Sequence, residues 1–191
     1  MKVLVATEKP FAAAAVNGIR EIVEGAGHEL ALLEKYTEKE QLLAAVADAD
    51  ALIVRSDKVT ADVVAAAKQL KIVVRAGAGY DNLDLPSCTE RGIVAMNTPG
   101  QNSNAVAELA LGLMIYMSRN QFTPGTGCEL SGKTIGIQGF GNIGQLVAKK
   151  AVGLGMNVLI LAPQPAEKHQ GWNTVPTIEE LYTKCNFVSV N

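Results

Sequence analysis

The stretch GIQGFGNIGQLVAKKA, residues 136–151, decides how the rest of the chain is read. It sets Gly139, Gly141 and Gly144 in the spacing G-x-G-x-x-G. An apolar run over 134–138 precedes the glycines. A helical pattern over 142–154 follows, with Ile143, Leu146, Val147, Ala151 and Leu154 on one side. Three glycines alone are a weak signal. A strand before them and an amphipathic helix after them make a strand-to-helix turn that cradles a dinucleotide pyrophosphate. The glycines let the backbone turn tightly and come close to phosphate, and the helix N-terminus favours the negative charge. A tight turn with no ligand is the plainer alternative.

Outward from this loop the same alternation recurs. Strands are expected over 3–6, 28–33, 51–54, 72–74 and 93–96, and again over 134–138, 157–161 and 187–190. Helices are expected over 11–24, 38–47 and 61–70, the last with Thr60 as N-cap, and over 105–117, 142–154 and 178–184. Val16, Ile19, Ile22 and Val23 mark the apolar face of the first helix. Alternation of this kind predicts βαβ units and parallel sheets. Residues 97–104, NTPGQNSN, are turn-rich and read as a domain boundary, so five strands precede it as one doubly wound domain. The 105–117 helix is apolar nearly all round and is expected to be buried on most sides. Residues 120–133 read as a loop.

Composition narrows the function classes. The chain has 191 residues, enough for one large or two small domains. Seventeen basic against nineteen acidic residues give a net charge of −2, which argues against a nucleic-acid surface. No secretory leader is visible at the start, and the 105–117 run is too short for a bilayer and contains Glu108. No membrane partner is therefore expected. Cys88, Cys128 and Cys185 lack metal-ligand spacing and read as reduced thiols of a cytosolic protein. No metal site is expected.

Ligands of open parallel sheets bind beyond the carboxyl ends of the strands. In the first half those ends carry Thr7, Glu8 and Lys9, then Arg55, Ser56, Asp57 and Lys58, then Arg75 followed by GAGYDN, then Asn97 with Asn102 soon after. Gly77, Ala78 and Gly79 leave backbone N–H groups open to a carboxylate. Arginine suits bidentate binding of carboxylate or phosphate. The set reads as a pocket for a small anion with more than one acidic group. The plainer alternative pairs Arg55 and Arg75 with Asp57 and Asp81 on the surface.

The acid that usually bonds the adenosine ribose ends the strand after the glycine loop. That position is Ala162 here, followed by Pro163 and Gln164. Lys168 and His169 lie beyond and read as exposed loop residues, although they are of the right type to meet a 2′-phosphate. Hydride transfer to or from a carbinol needs a proton acceptor or donor, most often histidine. The two histidines, His28 in a turn before the second strand and His169, are both poorly placed for it. No catalytic residue is assigned.

LIVRSDKV, VVRAGAGYDNLDL, GIVAMNTPGQNSNAVAELALGLM and LSGKTIGIQGFGNIGQLVAKKAVGLGMNV together resemble the D-isomer-specific 2-hydroxyacid dehydrogenases, nearest their short-form phosphoglycerate-oxidising branch. The resemblance implies an α/β fold: a flavodoxin-like parallel-sheet substrate domain over 1–98, then an incomplete Rossmann NAD(P)-binding domain over 99–191. It implies that Arg55, Ser56, Arg75 and Asn102 hold the substrate phosphate. The N–H groups of Ala78 and Gly79 take its carboxylate. Val106 packs near the nicotinamide, and Gly139, Gly141, Asn142, Ile143 and Gly144 hold the pyrophosphate. The implied activity is oxidation of 3-phosphoglycerate to 3-phosphohydroxypyruvate in cytoplasmic serine biosynthesis, by a homodimer joined through the nucleotide-domain helix. NAD is the expected cofactor, and Ala162 at the ribose position leaves NADP open.

The family's catalytic arginine, glutamate and histidine follow the FVS strand, and the sequence stops at Asn191. On that ground this chain is expected to bind rather than to catalyse. A non-catalytic anion- or nucleotide-binding relative, and a glyoxylate or hydroxypyruvate reductase, stay as alternatives.

Overall fold

Short aliphatic runs bounded by polar turns become strands, and the longer amphipathic runs become helices. The computed structural model describes residues 1–164 and 166–191. It divides into two compact units, Met1–Pro99 and Gly100–Asn191.

The first unit runs β1 (Lys2–Thr7), α1 (Ala13–Gly25), β2 (Glu29–Glu34), α2 (Lys39–Val46), β3 (Ala51–Val54), α3 (Ala61–Ala66), β4 (Ile72–Arg75), α4 (Leu85–Glu90) and β5 (Val94–Asn97). The strands pair in the order β2-β1-β3-β4-β5, every pair parallel. That is the flavodoxin-like order, with its switch point between β1 and β3. Leu4, Leu52, Val54 and Val73 of the strands pack with Val46 of α2 and Val63 of α3 in one core. Burying each such side chain contributes about 1.5–3 kcal/mol.

Four local expectations change. α1 buries none of its residues, and Ile22 is 75% exposed. At roughly 100° per residue, Val16, Ile19 and Val23 share a face that Ile22 leaves. α3 stops at Ala66, because Ala67 departs from helical angles at φ −77°, ψ 82°. Thr60 does precede α3, but its hydroxyl donates to the Asp62 carboxylate instead of accepting a backbone N–H. α4 has no counterpart in the expected helices. Asp84 caps it by accepting the Ser87 N–H at 3.0 Å, and Pro86 occupies its first turn.

The second unit carries α5 (Ser103–Ser118), β6 (Thr134–Gln138), α6 (Asn142–Gly153), β7 (Asn157–Leu161), β8 (Asn173–Thr174), α7 (Ile178–Lys184) and β9 (Phe187–Val190). Its sheet is also wholly parallel, in the order β8-β7-β6-β9. Counted within the unit this is 3-2-1-4, the Rossmann order. Ile135, Ile137, Val147, Ala151 and Ile160 form its core with Ala107 and Leu111 of α5.

α5 is not buried on most sides. Only Ser103, Ala107, Leu111 and Ser118 are buried, while Leu109 is 64% and Met117 60% exposed. One face lies on α6, where Glu108 meets Lys150 at 3.4 Å, and the other face is bare. The 120–133 loop opens with a short 3-10 turn, Asn120–Phe122, whose three residues hold φ of 52–58°.

Candidate functional site

Parallel pairing brings the two arginines together. Val54 lies opposite Arg75 in the β3–β4 register, so Arg55 starts its loop beside Arg75. Arg75 Nε donates to the Arg55 carbonyl at 2.9 Å, and the Ala76 N–H donates to the Val54 carbonyl at 2.8 Å. Gly77 makes room for this arrangement: a Cβ there would sit 1.5 Å from Arg75 Nη1.

The loop beyond is held by its carbonyls. The Thr98 N–H donates to the Gly77 carbonyl at 2.9 Å and the Asn97 amide to the Ala78 carbonyl at 2.7 Å. Among the described residues, the N–H groups of Ala78 and Gly79 donate to no backbone carbonyl. The plainer ion pairs do not form. Asp57 turns inward, 5% exposed, and its Oδ1 accepts the Glu8 N–H and the Tyr36 hydroxyl, each at 2.7 Å. Among the described residues, no carboxylate lies within ion-pair distance of Arg55 or Arg75. This corner of the sheet edge carries two arginines with no carboxylate partner among the described residues, the exposed Ser56 hydroxyl and two N–H groups open to acceptors, donor types suited to an anion with several oxygens.

Beside this corner, a cleft of about 310 Å³ opens over the carboxyl ends of β1, β2 and β3, lined by Glu8, Tyr36, Lys39, Lys58 and Thr60. Burial, then the hydrogen bond and charge of Asp57, push the Tyr36 phenol well above the usual tyrosine range. The Lys39 ammonium and the Thr60 hydroxyl hold Asp62 down to about 2. Tyr36 was not marked by sequence, and Asp57 was marked only as a strand-end residue and surface partner for an arginine. Asp57 stands in a run of polar residues that gives no sign of burial.

In the second unit the glycine loop divides three tasks. Gly139 takes φ +87°, which side chains disfavour. Gly144 lets α6 close on β6, since a Cβ there would lie 2.2 Å from the Gly139 carbonyl. At Gly141 a Cβ would meet nothing within 4 Å among the described residues, so this position is open. α6 starts at Asn142, and the N–H groups of Asn142 and Ile143 in its first turn have no acceptor within the helix. These residues fit a dinucleotide pyrophosphate, with free donors and a positive helix end facing an unobstructed surface.

Asn102 stands at the N-cap of α5, exposed and with no side-chain cap bond, and Val106 one turn on is 36% exposed. Ala162 directly follows β7 and is half-buried. Past it, Gln164 and His169 line two clefts. One, of about 270 Å³, also has Ala162 and Thr174 in its wall, and the other, of about 500 Å³, has Gly141, Lys168 and Trp172. Lys168 is exposed as expected, but His169 is buried at 9% exposure. Its ring stands edge-on to Phe140 at 5.3 Å, and Phe140 in turn stands against Trp172 at 5.5 Å. A short aperiodic turn, Ala166–His169, carries no burial signal in its sequence.

Other chemistry finds little support. His28 lies before β2, at the amino end of the sheet, with its N–H on the Val23 carbonyl at 3.0 Å. Burial raises the Cys88 and Cys185 thiols, so neither is an activated nucleophile. Among the described residues, no metal-ligating cluster occurs and no helix is long and apolar enough to cross a membrane.

Comparison with known proteins places this arrangement. The chain is 40% identical over 177 residues to hydroxypyruvate reductase of Thermotoga maritima, covering 85% of the chain and 58% of that protein. It is 41% identical over 170 residues to D-3-phosphoglycerate dehydrogenase of Methanocaldococcus jannaschii, covering 80% of the chain and 32% of that protein. The crystal structure of NAD+-bound 3-phosphoglycerate dehydrogenase of Entamoeba histolytica superposes with a TM-score of 0.92 at 49% identity, over all of this chain and 62% of that one. The chain thus spans between about a third and six-tenths of the length of these relatives. Residues 5–185 match the family described as D-isomer specific 2-hydroxyacid dehydrogenase, catalytic domain, and the chain belongs to that family.

Proposed function

We propose that the whole protein oxidises 3-phosphoglycerate to 3-phosphohydroxypyruvate with NAD or NADP, as the entry to serine synthesis in the cytoplasm. The observation that carries this reading is the pair of uncompensated guanidinium groups of Arg55 and Arg75 beside the open N–H groups of Ala78 and Gly79. The arginines and the Ser56 hydroxyl bind the phosphate. The two N–H groups orient the carboxylate, which fixes the carbon between them for reaction. The glycine loop, with the Asn142 and Ile143 N–H groups, holds the pyrophosphate, and Val106 packs near the nicotinamide. A bound dinucleotide would supply the acceptor for the hydride of the carbinol carbon. A homodimer joined through the bare face of α5 completes the reading.

A hydroxypyruvate or glyoxylate reductase would use the same carboxylate loop but would give Arg55 no anionic partner on the substrate. Calorimetric titration separates the two. 3-Phosphoglycerate is expected to bind at least about tenfold more tightly than D-glycerate, and Arg55→Ala is expected to erase the difference. Equal binding of the two acids by the native protein would refute the phosphate assignment.

A further inference from the structure

The end of β7 departs from the usual recognition of an adenosine ribose. Ala162 offers neither an acceptor for ribose hydroxyls nor a charge to repel a 2′-phosphate. Among the described residues, the two clefts beyond it are lined by no carboxylate, and their charged wall residue is Lys168.

His169 stands in the wall of both clefts and is nine-tenths buried. Its Nε2 is shut off from solvent and, among the described residues, has no hydrogen-bond partner. A buried polar atom left unpaired is costly, and a ligand oxygen reaching it through the cleft wall would relieve that cost. The 500 Å³ cleft reaches from Gly141 of the pyrophosphate loop to Lys168 and His169, as an extended nucleotide requires. Edge-on packing of His169 on Phe140, inside the glycine loop itself, ties the position of the imidazole to the position of the pyrophosphate.

We infer that the clefts beyond β7 form a subsite for a 2′-phosphorylated adenosine, with Lys168 supplying the charge and His169 the neighbouring hydrogen bond. The cofactor of choice is then NADP(H). This rests on the dinucleotide reading of the glycine loop. In it, Lys168 and His169 take over from the acid that is replaced at Ala162, with the opposite preference at the 2′ position.

Trp172 is the chain's single tryptophan and lines the same cleft, so its fluorescence reports binding without any turnover. Titrations with NADPH, NADH, adenosine 2′,5′-bisphosphate and 5′-ADP test the subsite. NADPH is expected to bind at least about tenfold tighter than NADH, and the bisphosphate tighter than 5′-ADP by a similar factor. Lys168→Ala, a surface change, is expected to weaken NADPH about tenfold and leave NADH unaltered. His169→Phe keeps the aromatic packing, removes the nitrogen, and is expected to weaken NADPH in the same way. NADH binding as tightly as NADPH to the native chain, or a Lys168→Ala effect equal for both, would overturn the subsite while sparing the glycine loop. Failure of all four nucleotides to bind would instead overturn the dinucleotide reading on which it rests.

Discussion

The guanidinium of Arg75 lies where a side chain on residue 77 would begin, with a Cβ on Gly77 only 1.5 Å from Nη1. The same arginine donates through Nε to the Arg55 carbonyl at 2.9 Å. Gly77 thus holds one cation of the anion corner in place by leaving space for it.

Gly77→Ala is expected to push that guanidinium aside. The obstacle is the far end of a flexible side chain, so the fold loses about 1 kcal/mol or less. Binding of 3-phosphoglycerate is expected to weaken by about tenfold, as for loss of one charge-assisted contact. Calorimetric titration paired with thermal melting reads both numbers. A large drop in Tm with unchanged binding would show that Gly77 serves the backbone and not Arg75.

The three loop glycines separate folding from binding. Gly144→Ala drives a Cβ to 2.2 Å from the Gly139 carbonyl, which is backbone and cannot swing away. Overpacking of this kind costs about 1–3 kcal/mol, so Tm and nucleotide affinity are expected to fall together. Gly141→Ala meets nothing within 4 Å and has φ −82°, open to any residue. It is expected to keep its Tm and lose dinucleotide binding, because the new methyl group stands where phosphate approaches. If Gly141→Ala binds as the native chain does, the pyrophosphate lies elsewhere.

What could be read in advance followed from periodicity. The expected strands match the observed ones to within about a residue, because short aliphatic runs such as ALIV (Ala51–Val54), set between Asp50 and Arg55, and NVLIL (Asn157–Leu161), which opens on Asn157 and stops before Pro163, have clear ends. Parallel pairing followed from the helices between them. α4 was not legible, since its six residues include Pro86 and complete less than two turns of apolar pattern. The bare side of α5 was not legible either, because apolarity all round a helix does not say which neighbour covers each face. In the anion corner, Arg55 and Arg75 could be named from their positions after strands. That Asp57 turns inward to Tyr36 instead of pairing with Arg55 depends on a contact between residues 21 apart in sequence, which no local pattern contains.

That inward contact has a pH signature. The Tyr36 phenol titrates above its ordinary value of 10.0 in the folded chain, mainly because it is buried, and then because it donates to Asp57. Between the ordinary and the raised value the unfolded chain has lost the proton and the folded chain keeps it. Stability contributed by the neutral phenol is therefore complete below about pH 10 and declines as pH rises beyond it. Tyr36→Phe is expected to lower stability by about 1–3 kcal/mol at neutral pH, since Asp57 loses a donor. It is also expected to flatten the alkaline decline. Urea denaturation of both proteins at pH 8 and pH 10.5 checks this, and parallel declines would assign the alkaline loss to other groups.

Leu109, Leu113, Tyr116 and Met117 recur at helical spacing along the bare side of α5, and all four are exposed in a single chain. A continuous apolar stripe facing water is a mark of association. A second copy of the chain laid on this stripe would bury it, and sedimentation is expected to give a dimer. Leu109→Glu with Leu113→Glu is expected to yield a monomer with an unchanged circular dichroism spectrum, because exposed positions cost a lone chain only about 0.5 kcal/mol each. Charges placed at Ile22, exposed on α1 of the other unit, are expected to leave the dimer intact and serve as the control. A native chain that sediments as a monomer, or a double variant that remains dimeric, would remove α5 from the interface.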